Sequence, residues 1–194
     1  MRSAEFDHQE VLRAVMTVLS KKGYAKTRVQ DLKKATGLHP GSIYSAFNDK
    51  RGLFIAALKQ YQEDRFAFID DLFSNSPTLL AGVYAFVDCI LEDYEQVKEK
   101  DCLFQKLLTE VSDHDDEIEQ MVKNMIKSLR QKFTDKFQLM MDRNEIEANR
   151  DVNLLAQFFF MCIYGMRTMS YTNPEPGVLK NLRDELMQYI EGYS

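Results

Sequence analysis

The sequence predicts an all-α protein of about nine helices, and two observations support this prediction. The chain of 194 residues has only four prolines and eight glycines, whereas residues of high helix propensity such as Leu, Met, Lys, Glu, Gln and Ala are plentiful. Apolar residues also recur at three- and four-residue spacing in long blocks. With 45% apolar and 28% charged residues, the composition is that of a globular protein and argues against a disordered or fibrous one.

Four helices are predicted in the N-terminal part from residues that favour helix ends. Asp and Thr are good N-caps, Pro suits a first helical turn, and Gly is the usual residue just past a helix. The expected ends are Asp7 and Gly23, Thr27 and Gly37, Pro40 and Phe47, and Asp49 and the break at 74–77.

After Pro77 the helical period continues in long blocks separated by short polar breaks. These blocks cover roughly residues 78–97, 102–111, 113–142, 151–172 and 175–191. The chain shows no internal repeat and no long linker. We therefore expect an N-terminal helical domain over 1–48, a connecting helix over 49–75 and a second helical domain over 76–194.

The charge of the chain is divided unevenly between its two parts. Residues 1–60 hold eleven Lys and Arg against five Asp and Glu, whereas residues 61–194 hold fourteen against twenty-five. Because phosphates respond to local positive potential, a basic head on an acidic body is expected of a DNA-binding protein with a separate second domain. A helical adaptor that binds only proteins is the alternative, but it has no reason to segregate charge in this way.

The sequence predicts a cytoplasmic protein without a membrane span. Charged residues interrupt the first turns after Met1, so the start does not resemble a secretion signal. The apolar uncharged run Val152–Met166 has fifteen residues, fewer than the roughly 20 apolar residues that cross a bilayer.

No metal, cofactor or enzymatic site is predicted. Cys89, Cys102 and Cys162 lie in apolar stretches without the spacing of metal ligands. The three histidines are isolated, and the one dense polar cluster, residues 113–117, is best explained as acids at the start of a helix, where the helix dipole favours them.

Residues 27–50 form the most informative stretch, because two short helices meet there at Gly37. Five apolar residues, Val29, Leu32, Leu38, Ile43 and Phe47, fall where the inner faces of the two helices can pack together. The outer face of the second helix then carries Pro40, Gly41, Ser42, Tyr44 and Ser45. This is the pattern of a helix-turn-helix whose second helix enters the major groove of DNA.

The threonine cap, the glycine turn, the Tyr44-x-x-Phe47 helix and the following Lys50 together resemble the TetR family of transcriptional regulators over about residues 7–60. The resemblance implies that Thr27, Tyr44 and Lys50 bind phosphates. It also implies that small residues at the start of the second helix approach the bases. The complete expected DNA-binding set is Thr27, Arg28, His39, Pro40, Gly41, Ser42, Tyr44, Ser45 and Lys50.

Two positions depart from the family pattern. Ala46 stands where many members have histidine or another polar residue, which removes one DNA contact. Lys33 stands where a helix-turn-helix usually has a small residue, and we expect its stem to lie along the surface with the charge in solvent.

The resemblance also implies how the whole chain acts. The first domain would bind DNA, and residues 76–194 would bind a small ligand and form a homodimer. By default the protein would be a repressor that binds a pseudo-palindromic operator and is released by a small, largely apolar or electrophilic effector. Activation is left open, as are the operator and the effector.

Aromatic, methionine and cysteine residues at helical spacing are the candidates for an effector pocket, although such stripes are more often ordinary core. The sequence Asp101-Cys102-Leu103-Phe104 resembles a Gly-Cys-Leu segment of many family members, and Cys102 has three open roles: packing, pocket lining, or sensing of oxidants or electrophiles. The expected pocket residues are Phe66, Phe86, Ile90, Tyr94, Cys102, Phe104, Met121, Met125, Phe158 and Cys162.

The last two helices are predicted to form the dimer interface. The block 151–172 is apolar on more than one face, so one of its faces needs a cover outside its own domain. The resemblance implies that both helices pair with their copies in a four-helix bundle. The expected interface residues are Phe159, Tyr164, Met166, Leu179, Leu182 and Leu186.

Overall fold

A computed structural model describes residues 7–96 and 115–192, and within them the chain forms eight α-helices and no strand. The all-α prediction is therefore confirmed. The predicted helix over 102–111 lies outside the described residues. The helices are α1 His8–Lys26, α2 Val29–Thr36, α3 Pro40–Phe47, α4 Lys50–Ser74, α5 Leu79–Gln96, α6 Asp116–Asp142, α7 Val152–Ser170 and α8 Val178–Glu191.

Most helix ends follow the local signals in the sequence. The Asp7 carboxylate accepts a hydrogen bond from the backbone N–H of Gln9 at 2.8 Å, and that of Asp49 accepts from Gly52 at 2.6 Å. Gly37 ends α2 in the left-handed region, with φ 70°. These contacts satisfy backbone groups that have no partner within their own helix.

The end of α1 differs from the sequence prediction. The helix does not stop at Gly23 but changes direction there, with φ 75° and ψ 172°, and continues to Lys26. Thr27 does not cap α2 either, because the N-cap residue is Arg28, whose backbone N–H donates to the Asp31 carboxylate at 3.0 Å. The acceptor therefore comes from within α2, three residues beyond the cap.

The described residues divide into two compact units, which we call the head unit (7–66 and 115–126) and the body unit (67–96 and 127–192). This division differs from the expected boundaries, because α4 and α6 each contribute to both units. Among the described helices, none is long and apolar enough to cross a membrane.

The head unit has a continuous apolar core. Residues from α1, α2, α3 and α4 pack together with the first turns of α6, where Met125 is 3% exposed. Met121 packs against the same core. Met121 and Met125, which were expected in an effector pocket, thus pack in the core of the head unit. The buried residues are Val11, Leu12, Val15, Met16, Leu19, Leu32, Ile43, Leu53, Phe54, Ala57, Leu58, Ile118, Val122 and Met125.

The centre of the body unit is a cluster of phenylalanine rings around Phe133, which is fully buried. The ring centroids of Phe86 and Phe159 lie 4.8 Å and 5.0 Å from that of Phe133. The rings of Phe160, Phe73 and Phe137 follow at 5.3, 6.0 and 6.3 Å. Such aromatic contacts stabilise a core beyond the area they bury.

Replacing Phe133 by Ala is expected to lower the free energy of unfolding by about 3 to 5 kcal/mol, because the substitution leaves a cavity among rings that cannot all close in. Leu139→Ala on the same helix is the control, since Leu139 is 39% exposed and should change stability by less than about 0.5 kcal/mol. Urea unfolding at one fixed protein concentration measures both. Equal effects of the two substitutions would contradict this account of the core.

Candidate nucleic-acid interface

The turn between α2 and α3 is fixed by backbone conformation and local hydrogen bonds. Gly37 adopts its positive φ and donates its N–H to the carbonyl of Lys33 at 2.9 Å. The backbone N–H of Leu38 donates to the hydroxyl of Thr36 at 3.2 Å. A side chain at position 37 would be strained by the left-handed conformation, so the turn depends on glycine.

The N-terminus of α3 is capped by a histidine. The Nδ1 atom of His39 accepts a hydrogen bond from the N–H of Gly41 at 3.3 Å, and Pro40 occupies the first turn. The neutral His39 ring therefore carries its proton on Nε2. His39 therefore caps α3, a role that the sequence did not indicate.

The turn between α3 and α4 requires a second glycine, which sequence reasoning missed. A Cβ atom at Gly52 would lie 2.2 Å from the carbonyl oxygen of Phe47, a distance that no side chain tolerates. The preceding Asn48 has a positive φ of 67°. Because the sequence around Gly52 otherwise favours a helix, the need for glycine is visible only in the structure, where the backbone of Phe47 comes close to residue 52.

The inner face of α3 and part of its outer face are as predicted, whereas Val29 of α2, predicted to pack on the inner side, is 37% exposed. Ile43 is 1% exposed and packs with Leu32 in the head-unit core. Gly41, Ser42 and Ser45 are exposed on the outer face, so they are available to a partner.

The other expected contact residues vary in exposure. Arg28 and His39 are exposed, whereas Pro40 and Tyr44 are half-buried. The ring of Tyr44 packs against the head-unit core. Ala46 and Lys33, the two departures from the family pattern, are both exposed, as expected for Lys33.

Thr27 does not lie on this surface, which corrects the expectation that it binds a phosphate. Its side chain is buried, with only 2% of the residue exposed, and its hydroxyl donates to the carbonyl of Gly23 at 2.6 Å. That carbonyl needs a partner because the kink at Gly23 interrupts the helical hydrogen bonds of α1. The threonine of the motif thus closes the end of α1.

Lys50 also points inward, in contrast to the phosphate contact that the resemblance implies. Its Nζ donates to the carbonyl of Tyr24 at 2.9 Å and lies 4.6 Å from the centroid of the Tyr24 ring. Burial lowers the pKa of the Lys50 ammonium. Thr27 and Lys50, two of the three residues taken from the motif as phosphate ligands, therefore both donate to carbonyls near the end of α1.

Arg51 and two acids at the start of α6 form an ion-pair network that the sequence did not predict. The Nε and Nη2 atoms of Arg51 donate to the two carboxylate oxygens of Asp115 at 2.7 and 3.2 Å, and Nη2 donates to Glu117 at 2.6 Å. Asp115 also accepts from the N–H of Ile118 at 3.2 Å. The helix-start explanation of these acids is thus correct for Asp115, but a partner 64 residues away could not be seen from spacing.

The expected pocket residues that the structure describes are divided between the two units. Of those in the body unit, Phe86 and Ile90 are buried and Phe158 and Cys162 are half-buried. Phe66, half-buried, belongs to the head unit. Burial raises the pKa of the Cys162 thiol, which makes it less reactive. The remaining candidates, Tyr94, Cys102 and Phe104, have side chains outside those that the structure describes.

Four of the six expected interface residues are already covered by the chain itself. Phe159 is 0% exposed and Met166 3%, because both face the body-unit core. Leu179 and Leu186 are also buried, so all four belong to the core and not to an open surface. Tyr164 is half-buried and Leu182 is 38% exposed.

These features define the class of the protein: a helix-turn-helix DNA-binding protein with a second helical unit. The family model described as "Bacterial regulatory proteins, tetR family" matches residues 11–57, and the one described as "Tetracyclin repressor-like, C-terminal domain" matches residues 80–186. The chain belongs to the TetR family of DNA-binding transcriptional regulators.

Individual relatives agree with this assignment. The HTH-type transcriptional regulator YezE of Bacillus subtilis is 25% identical over 159 residues, which cover 81% of this chain and 82% of YezE. A TetR transcriptional regulator from Chloroflexus aurantiacus has a similar structure, with a TM-score of 0.80 at 22% identity over 94% of this chain and 93% of that chain. A cysteine mutant of the TetR family regulator CifR, solved with a 26-base-pair operator duplex, has a TM-score of 0.71 at 20% identity over the full length of both chains.

The Arg51 network predicts a contribution of Asp115 to stability that depends on pH. The Arg51 guanidinium, helped by backbone N–H groups, lowers the pKa of Asp115 from 3.8 to about 2. A carboxyl group whose pKa is lower in the folded state stabilises the fold at pH values above its unfolded-state pKa. This stabilisation is lost as the pH falls through the folded-state pKa. The free energy of unfolding should therefore fall more steeply between pH 3.8 and about 2 in the wild type than in Asp115→Asn.

Urea unfolding at a series of pH values measures this dependence. The control is Asp116→Asn, which removes an exposed neighbouring carboxylate and should leave the wild-type slope nearly unchanged. The interpretation of the network is incorrect if Asp115→Asn follows the wild-type pH dependence.

Proposed function

We propose that this regulator binds a pseudo-palindromic operator as a homodimer in the cytoplasm and acts by default as a repressor. The observation that supports this most strongly is the outer face of α3. Its small residues Gly41, Ser42 and Ser45 are exposed, while Ile43 anchors the opposite face in the core. A short helix held in this way can enter a major groove with its backbone close to the base edges.

The bases would be read by small polar groups. The hydroxyls of Ser42 and Ser45 can each donate and accept a hydrogen bond, so they are compatible with several base edges. His39, with its proton on Nε2, adds a donor beside them. The Tyr44 ring packs against the core, and its phenolic O–H is the polar end that can reach a phosphate.

Positive charge for the phosphates would come from residues outside α3, because this helix contains no Lys or Arg. Arg28, Lys33 and Lys34 are exposed on or next to α2. Lys22 is also basic, but its ammonium is paired with Asp31 at 2.5 Å. We therefore assign the strongest phosphate contact to Arg28 at the N-cap of α2.

Selection from a pool of random-sequence duplexes by the wild-type protein tests sequence-specific binding and supplies an operator. Arg28→Ala should weaken binding to that operator and reduce the slope of log affinity against log salt by about one, because one phosphate contact is lost. Lys180→Ala, an exposed charge in the body unit, should change neither value. Failure of the wild type to enrich any duplex would overturn the proposed function, whereas an unchanged slope in Arg28→Ala would overturn only the role of Arg28.

The dimer proposal is supported by an exposed apolar stripe on α7. Leu154 is 58% exposed, Met161 60% and Met169 40%, and spacings of seven and eight residues place them on one face of the helix. Gly165 lies on the same face, and a Cβ atom there would meet no atom within 4 Å. A small residue within an apolar stripe allows a second helix to approach closely.

The stripe replaces the buried residues as the centre of the proposed interface. Leu182 on α8, 38% exposed, and the half-buried Tyr164 remain in it from the expected set. Exposed apolar residues in a contiguous patch indicate a surface that is covered in the functional state. Pairing of the same stripe on two copies satisfies the two-fold symmetry of a palindromic operator.

Met161→Glu is expected to convert the dimer into a monomer, because it would place two carboxylates at a closed apolar contact without partners. Leu139→Glu is the matched control, since it introduces the same charge at an exposed apolar residue of α6. Sedimentation equilibrium measures the mass of each variant. A dimeric Met161→Glu protein would exclude this stripe as the interface.

The last part of the proposal is that an effector releases the protein from its operator. A small apolar or electrophilic molecule that binds the body unit would favour the DNA-incompetent state through its different affinity for two conformations, on the order of 1 to 3 kcal/mol. Operator affinity with and without each compound that demonstrably binds tests this step. Repression fails as the default if binding compounds leave operator affinity unchanged or increase it.

A further inference from the structure

Asp31 places a negative charge at the start of the helix-turn-helix, where it opposes the attraction of DNA phosphates. It lies in the first turn of α2, three residues after the N-cap Arg28. An acid in a first turn interacts favourably with the helix dipole, but that interaction requires no particular partner. The side chain of Asp31 is nevertheless only 22% exposed, and each oxygen of its carboxylate has a partner of its own.

One carboxylate oxygen holds the backbone of Arg28. The Oδ2 atom of Asp31 accepts the N–H of Arg28 at 3.0 Å. The carbonyl of Arg28 in turn accepts from the N–H groups of Asp31 and Leu32 at 2.9 and 3.3 Å. Both backbone polar groups of Arg28 are therefore bonded to the first turn of α2. With its backbone held on both sides, the Arg28 side chain leaves the chain in one fixed direction.

The other carboxylate oxygen ties Asp31 to α1. Its Oδ1 atom accepts from the ammonium of Lys22 at 2.5 Å, and Lys22 directly precedes the kink at Gly23. The carboxylate thus joins the two ends of the segment 23–27, through which the chain passes from α1 to α2. The Lys22 ammonium and the Arg28 N–H lower the pKa of Asp31, so the group is charged at neutral pH.

The same ion pair explains how an acid is tolerated next to a phosphate-binding residue. Lys22 supplies a positive charge in contact with the negative charge of Asp31, so the pair as a whole is neutral and repels a phosphate little. Arg28 is exposed and keeps its own positive charge. The arrangement therefore gains a backbone acceptor without a large electrostatic cost to DNA binding.

We propose that Asp31 is a positioning residue for DNA binding, which holds Arg28 at the N-cap of α2 in the orientation that binds a phosphate. The inference rests on the proposed function, in which Arg28 makes that contact. Two other roles predict different results. If Asp31 acts only through its charge, its removal strengthens binding. If it only stabilises the fold, its removal leaves the affinity of the folded protein unchanged.

A double-mutant cycle tests the proposal on the operator that the wild type selects. Asp31→Ala should bind about fivefold more weakly than the wild type, comparable to the loss of one hydrogen bond. In the Arg28→Ala background the same substitution should change affinity by less than about twofold, because the side chain that Asp31 positions is absent. Glu63→Ala, which removes an exposed acid from the head unit, should not weaken binding in either background.

Asp31→Asn separates the backbone acceptor from the charge. The amide oxygen of asparagine can still accept the Arg28 N–H, and both Asp31→Asn and Asp31→Ala lose the same negative charge. The difference in affinity between the two variants therefore reports the acceptor, and Asp31→Asn should recover part of the affinity. Each affinity is measured well below the melting temperature of the variant, so that loss of stability does not contribute.

The proposal is overturned if Asp31→Ala binds as tightly as the wild type or more tightly, or if it weakens binding by the same factor in both backgrounds. It is also overturned if Arg28→Ala leaves operator affinity unchanged. Should Asp31→Ala fail to fold, the same cycle is measured with Asp31→Asn, whose smaller loss of affinity must again vanish in the Arg28→Ala background. Failure of the wild type to select any duplex would instead overturn the proposed function as a whole.

Amide hydrogen exchange tests the backbone contact without DNA. The amide of Arg28 should exchange faster in Asp31→Ala than in the wild type, because its acceptor is removed, and Asp31→Asn should be intermediate. The amide of Leu53, which donates to the Asp49 carbonyl at 3.1 Å, is the reference and should exchange equally in all three proteins. Equal exchange of the Arg28 amide in the wild type and Asp31→Ala would refute positioning.

Discussion

The packing of Leu32 and Ile43 against α4 is the constraint on which the rest of the head unit depends. Each of these side chains is 1% exposed, and both belong to the same core as Leu53 and Phe54. A helix of eight residues such as α3 is too short to be stable by itself in water, so its conformation comes from this burial. The exposed face of α3 is therefore a consequence of what its opposite face buries.

Polar side chains complete this arrangement at the places where helices end. Thr27 and Lys50 satisfy carbonyls near the end of α1, and Arg51 joins the start of α4 to Asp115 at the start of α6. These contacts add little by burial, but each prevents a backbone or charged group from being left unpaired in a partly buried setting. The head unit is consequently fixed by an apolar centre and by hydrogen bonds at its helix ends, and those of Lys50 and Arg51 involve the start of α4.

The sequence predicted what local chemistry determines and missed what distant partners determine. Gly37 and Pro40 mark helix ends through their own backbone restrictions, and the structure has helix ends at both. The motif drew attention to Thr27 and Lys50 but carried no information about the direction of their side chains, both of which donate to carbonyls near the end of α1. Likewise, the period of Met121 and Met125 revealed an apolar face but not which of the two units it packs in.

The two apolar faces of α7 show the same limit of prediction from sequence. Phe159 and Leu154 lie on opposite faces of one helix, and hydropathy alone treats them alike. The structure separates them, because Phe159 is covered by the body-unit core while Leu154 is 58% exposed. Leu154 stands in an exposed apolar stripe with Met161 and Met169, which is the kind of surface that the proposed dimer would cover. In the proposed dimer, this stripe would be the surface by which two copies bind two half-sites together.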